Sequence, residues 1–156
     1  MLPKEFYEYR NNHSSLNLLD GYLTLLSDRE ILNYSLIANE AISIENNFDV
    51  FATTPFGDIL IWDGSYVFLL RLAESRIDVI LSGFEFFFDN IYDSDYQSDM
   101  FDVERFNFVK EKIGNIEKEE CYIYEPLPTL GGDMSVDSVK IGNRAEYICF
   151  LLSMQK

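Results

Sequence analysis

Between Val50 and Leu81 four β-rich runs follow one another almost without pause: Val50 to Thr54, Gly57 to Trp62, Ser65 to Leu72 and Arg76 to Leu81. Connections this short turn a chain back on itself, so the runs predict an antiparallel meander. Asp63-Gly64 reads as a two-residue hairpin turn between the second and third runs, with Gly accepting a positive φ. In the last run Arg76 and Asp78 alternate with Ile77 and Val79, the pattern of a strand with one wet face. The earlier runs are apolar at nearly every position, so their sheet needs cover on much of both faces.

Helical stripes elsewhere can supply that cover. A first helix is expected from Pro3, suited to the first turn, to about Asn12. Asp20-Gly21 marks a turn and Tyr22 to Leu26 a short apolar strand. Ser27-Asp28-Arg29-Glu30 is a capping box that opens a helix toward Ala38 or beyond. Ser82-Gly83-Phe84-Glu85 repeats the box, and behind it Phe84, Phe87, Phe88 and Ile91 form one helical stripe, read as core. A helix from about Phe101 to Ile113 buries Val103, Phe106, Val109 and Ile113, and Gly114 caps it. Glu120 to Tyr124 is a strand stopped by Pro126 and Pro128. Asn143 with Glu146 starts a final helix whose stripe is Tyr147, Phe150, Leu151 and Met154. The expectation is one α+β domain over residues 1–156, a mainly antiparallel sheet of five or six strands with helices packed against it.

Charge narrows the partners. Twenty-seven acidic residues against 12 basic ones leave a net charge of -15. A phosphate backbone or an anionic membrane would be repelled, and a basic protein attracted. Hydrophobic residues, 47% of the chain, are enough for a packed interior, which argues against disorder despite that charge. No apolar run reaches membrane-spanning length, and the N-terminus, with Glu5 and Glu8, has no apolar core of a secretory signal. A cytoplasmic location is therefore expected, with Cys121 and Cys149 as buried, reduced thiols.

Candidate chemistry is sparse. His13 is the only histidine, and beside Ser14 and Ser15 at a helix end it makes no nucleophile–base pair, so no catalytic residue is assigned. Leu130-Gly131-Gly132-Asp133 lacks the Lys and the spacing of a phosphate loop, and no cofactor is expected. Asp93, Asp95, Gln97, Asp99 and Glu104 fall at positions 1, 3, 5, 7 and 12 of a calcium-loop template, yet Ser98 stands where the sharp turn needs Gly and Phe101 where a polar ligand is usual. A solvated acidic loop is the better reading, and no metal site is assigned. The same stretch interleaves Asp89, Tyr92, Asp93, Asp95, Tyr96, Asp99, Asp102 and Glu104. Tyrosines supply rigid contact area and carboxylates complement a basic surface, so these residues are the candidate partner-binding face, set against an ordinary solvated loop.

Three segments carry a resemblance. Phe56-Gly57-Asp58-Ile59-Leu60-Ile61-Trp62-Asp63-Gly64 resembles a strand motif of the GAD-like and type VI secretion immunity-protein families of bacteria. Cys121 to Gly132, with Tyr124, Pro126, Gly131 and Gly132, is similar to the second motif of their C-terminal immunity domain, and Val139-Lys140-Ile141 to its closing segment. The resemblance covers about Phe56 to Met154, with residues 1–55 as a more loosely similar N-terminal part; a more distant similarity to the Smi1/Knr4-like immunity superfamily is also present. It implies a cytoplasmic protein that binds and inactivates a toxin, often a nuclease, with no active site of its own. The matched residues Gly57, Asp58, Trp62, Tyr124, Pro126, Gly131 and Gly132 are then backbone, core or groove positions. The alternative implied is a regulatory or scaffold module binding proteins through an apolar groove near Trp62 and Tyr124. The oligomeric state is not legible.

Overall fold

The computed structural model describes residues 1–155. Six strands run in chain order across one antiparallel sheet: β1 (Asn17–Leu18), β2 (Leu23–Leu25), β3 (Asp49–Thr53), β4 (Ile59–Trp62), β5 (Tyr66–Arg71) and β6 (Arg76–Ser82). A separate antiparallel pair, β7 (Glu120–Tyr124) and β8 (Val139–Asn143), joins it where the Tyr122 amide donates to the Pro55 carbonyl at 2.7 Å. The helices are α1 (Lys4–Asn12), α2 (Asp28–Ala41), α3 (Phe87–Asn90), α4 (Ser94–Met100), α5 (Val103–Ile113) and α6 (Arg144–Ser153). The class is α+β, as expected from the meander.

Local chemistry explains most of the boundaries. Ser27 accepts from the Glu30 amide while the Glu30 carboxylate accepts from the Ser27 amide, the reciprocal cap foreseen for α2. β4 is buried along its whole length, as a central strand covered on both faces must be. α2 lies across β3, tied by the Val50 amide donating to Ser35 Oγ at 2.9 Å. α6 packs on α2 and β7, closing one apolar cluster from Leu2 to Leu152.

The structure corrects five readings. The hairpin turn is Gly64-Ser65, because Asp63 already bonds Tyr66 across the ladder and its carboxylate accepts from the Ser65 and Tyr66 amides. In β6 the wet face is the apolar one: Ile77 and Val79 are 50% and 55% exposed, while Asp78 turns toward buried Arg71. Turning Asp78 outward would remove one of the two carboxylates that pair the buried guanidinium, which costs more than two exposed aliphatic side chains on an edge strand. Ser82-Gly83-Phe84-Glu85 caps nothing, since β6 runs through Ser82 and the following helix shrinks to the single turn of α3. Its aromatic stripe is nonetheless core, with Phe84, Phe87 and Ile91 buried and Phe88 half-buried. In α6 the buried face is Tyr147, Ile148, Leu151 and Leu152, leaving Phe150 and Met154 exposed. In α5 Phe106 and Val109 are buried, whereas Val103 is half-buried and Ile113 is exposed at the last turn.

Candidate functional site

The Phe56–Gly64 motif begins in a tight turn organised by one hydroxyl. Thr54 Oγ1 accepts from the Phe56 and Asp58 amides and donates to Asp58 Oδ2 at 2.9 Å. Gly57 holds φ +78°, and a Cβ there would lie 2.8 Å from the Tyr147 ring, so both conformation and space require glycine. Tyr124 stacks on Phe56 and Trp62 meets Phe84 edge-on; both rings are buried, on different partners. Pro126 follows a cis peptide, and Gly132 packs so tightly that a Cβ would meet the Pro126 carbonyl at 2.0 Å. Gly131 sits at φ +93° after a short 3-10 turn. Phe56, Asp58, Tyr124 and Met134 border a cavity of about 10 Å³, room for about one water. The two motifs are thus joined back to back by packing.

Asp58 is the electrostatic centre of this junction. It is 3% exposed, and burial, reinforced by the Asp102 charge, pushes its carboxyl up to about 7, against the Thr54 hydrogen bond and the Arg71 charge. Arg71 is buried beside it. Its Nε donates to Asp102 Oδ2 at 3.1 Å, its Nη2 to the Met100 carbonyl at 2.8 Å, and its Nη1 pairs with Asp78. Burial pulls the guanidinium down, but the Asp102 charge and hydrogen bond, with Asp58 and Tyr22, together hold it above its ordinary range. Sequence reasoning overlooked Arg71; a lone cation in the apolar run Phe68-Leu69-Leu70-Arg71-Leu72 was the signal.

The acidic stretch is divided by the fold rather than presented as one face. It is not a loop: Asp93 caps α4 by accepting from the Tyr96 amide at 2.9 Å, and residues 94–100 are helical. A straight helical turn does not wrap around a cation as the calcium loop must, and the Gln97 side chain donates instead to the Ile91 carbonyl at 2.8 Å. Among the described residues no group of three or more His, Cys, Asp or Glu is placed to hold a metal. Asp102 belongs to the Arg71 cluster. Tyr96 is half-buried, its hydroxyl donating to the Ile80 carbonyl at 2.6 Å, and burial pushes its pKa up to about 12. Tyr92 stays exposed, with its hydroxyl 2.6 Å from that of Tyr9 on α1. Asp89, Asp93, Asp95, Asp99 and Glu104 are exposed. Beside them α4 and α5 enclose a groove of about 710 Å³, lined by Gln97, Ser98, Phe101, Glu104 and Phe108, of which Phe108 is 51% exposed. Phe108 was not foreseen, because it falls outside the core stripe of α5.

Cys121 is buried and Cys149 half-buried, so the expectation of two buried thiols holds for the first alone; burial pushes the Cys121 thiol up to about 12.

Residues 81–155 match the family described as T6SS immunity protein Tdi1, C-terminal. The match takes in α3 to α6 and the β7–β8 pair, hence the second motif and the closing segment, and begins after the Phe56–Gly64 motif. No curated protein matches. The crystal structure of Atu4351 from Agrobacterium tumefaciens superposes with a TM-score of 0.68 at 16% identity, over 97% of this chain and 75% of that one. At that identity the superposition speaks for the fold. No helix among the described residues is long and apolar enough to cross a membrane.

Proposed function

We propose that this chain is an immunity protein that neutralises a cognate bacterial toxin by protein–protein contact, without catalysis of its own. The observation that carries the reading is the match of residues 81–155 to a type VI secretion immunity family. That segment also bears the exposed carboxylates Asp89, Asp93, Asp95, Asp99 and Glu104, beside the groove that Phe108 lines. A net charge of -15 favours a basic partner, and carboxylates set against a nuclease would occupy the space that substrate phosphates take. Such a complex forms in the cytoplasm of the toxin-producing cell. A scaffold module working through a groove at Trp62 and Tyr124 has less support, because both rings are buried.

The test is expression of the neighbouring open reading frame, as the candidate toxin, with and without the chain. Restored growth and a stable co-purified complex are expected, and unrestored growth refutes the reading. In the purified pair the association rate should fall about tenfold or more between 50 and 500 mM salt. An unchanged rate refutes the electrostatic part alone.

A further inference from the structure

α2 completes its core contacts with one side only. Ile31, Tyr34 and Ala38 face inward, while Leu32 and Leu36, one turn apart, each remain 61% exposed. Together with Tyr7 of α1 and Phe48 ahead of β3 they line a groove of about 590 Å³. Asp28, Glu40 and Asp49 also line it, and no Lys or Arg does. Asp28 is bridged to Arg10 at 2.6 Å and Asp49 to the terminal amine at 3.0 Å, yet the Asp28 side chain keeps 81% of its surface in solvent. The ion pairs among the described residues leave Glu40 unmatched.

Leucines on successive solvent-facing turns lie outside the buried stripe of this helix and give it no core contact. Contiguous apolar surface inside a polar rim is the form that docking sites take. We infer that this groove receives a basic amphipathic segment of the toxin, its aliphatic side chains between Leu32 and Leu36 and its Lys or Arg heads on the three carboxylates. A second copy of this chain fits poorly, because a two-fold contact would bring the same carboxylates of both copies together. The inference rests on the immunity reading for the identity of the partner, and it adds an anchor in the N-terminal half, outside residues 81–155.

A probe of the chemistry alone is a synthetic helix of leucine and lysine, about four turns long with leucines three and four apart, beside its glutamate-for-lysine counterpart. Titrated into the full-length chain, the lysine peptide should shift the NMR signals of Tyr7, Leu32, Leu36 and Phe48. Affinity should be at least about tenfold weaker for the glutamate peptide and for the double variant Leu32→Ala/Leu36→Ala. The variant's melting temperature should stay unchanged, since both side chains are exposed. Shifts confined to α4, or equal affinity for the variant, overturn the assignment.

In the growth assay Leu36→Lys should lose protection. Protection retained by Leu36→Lys overturns the groove and leaves the immunity reading standing. Failure of the unsubstituted chain to protect overturns that reading and the partner assigned here. A dimer in sedimentation that Leu36→Lys abolishes overturns the assignment in favour of a second copy.

Discussion

Replacing Asp58 by Asn should make the protein more stable at pH 8 and hardly change it near pH 4. An ordinary Asp carboxyl releases its proton near 3.8, while Asp58 in the fold holds it to about 7. Between those values the folded chain binds a proton that the unfolded chain has lost. Stability therefore falls as pH rises through this window, by about 1.4 kcal/mol per pH unit, and levels off above 7. The whole effect is on the order of 4 kcal/mol, the cost of holding the buried carboxylate ionised beside Asp102. The substituted amide keeps an oxygen to accept from Thr54 and carries no charge, so its pH slope from this position is zero. Denaturant unfolding at pH 4, 6 and 8 measures it. The gap between variant and wild type should open with pH, and at pH 8 the melting temperature of Asp58→Asn should lie on the order of 10 °C higher. Parallel stability profiles for the two proteins, or a variant that is weaker at pH 8, would refute the argument.

Other positions give further expectations. Arg71→Met removes the cation that Asp78 and Asp102 share; both carboxylates are part-exposed and Asp78 keeps Arg76, so a loss of about 2 kcal/mol is expected in denaturant unfolding at pH 7. A loss under about 0.5 kcal/mol would show the cluster to be dispensable. Gly57→Ala forces a positive φ on a side chain that also meets the Tyr147 ring, so a loss of about 2 to 4 kcal/mol should appear in the same measurement. Native thiol labelling at pH 8 should modify Cys149 and spare Cys121 until the chain unfolds, because burial both shields Cys121 and suppresses its thiolate. Equal labelling rates in the folded protein would contradict that burial.

Short-range chemistry was legible in the amino-acid sequence. The antiparallel meander, the Ser27–Glu30 cap and the break of α5 at Gly114 all depend on neighbours a few residues apart, whose periodicity or φ preference does not need the rest of the chain, whereas the demand for glycine at 57 comes partly from the distant Tyr147 ring. The likeness of residues 81–155 was legible too, through the segments Cys121 to Gly132 and Val139 to Ile141, while the Phe56–Gly64 motif lies outside it. What long-range charge pairing decides was not. Asp78 reads as a solvent-facing residue until Arg71 is known to be buried across the ladder, and that pairing acts with the burial of Ile80 to set how β6 faces. Asp102 reads as one more surface acid until Arg71 and the Tyr22 hydroxyl, which accepts from its amide, claim it. Tyr96 turns inward for a carbonyl on β6. The groove beside Leu32 and Leu36 likewise exists only because α1 and the segment before β3 converge on α2. Local pattern fixes which elements form; the packing of distant elements fixes which side chains remain for a partner, since burial of a charge is set by what the fold brings beside it.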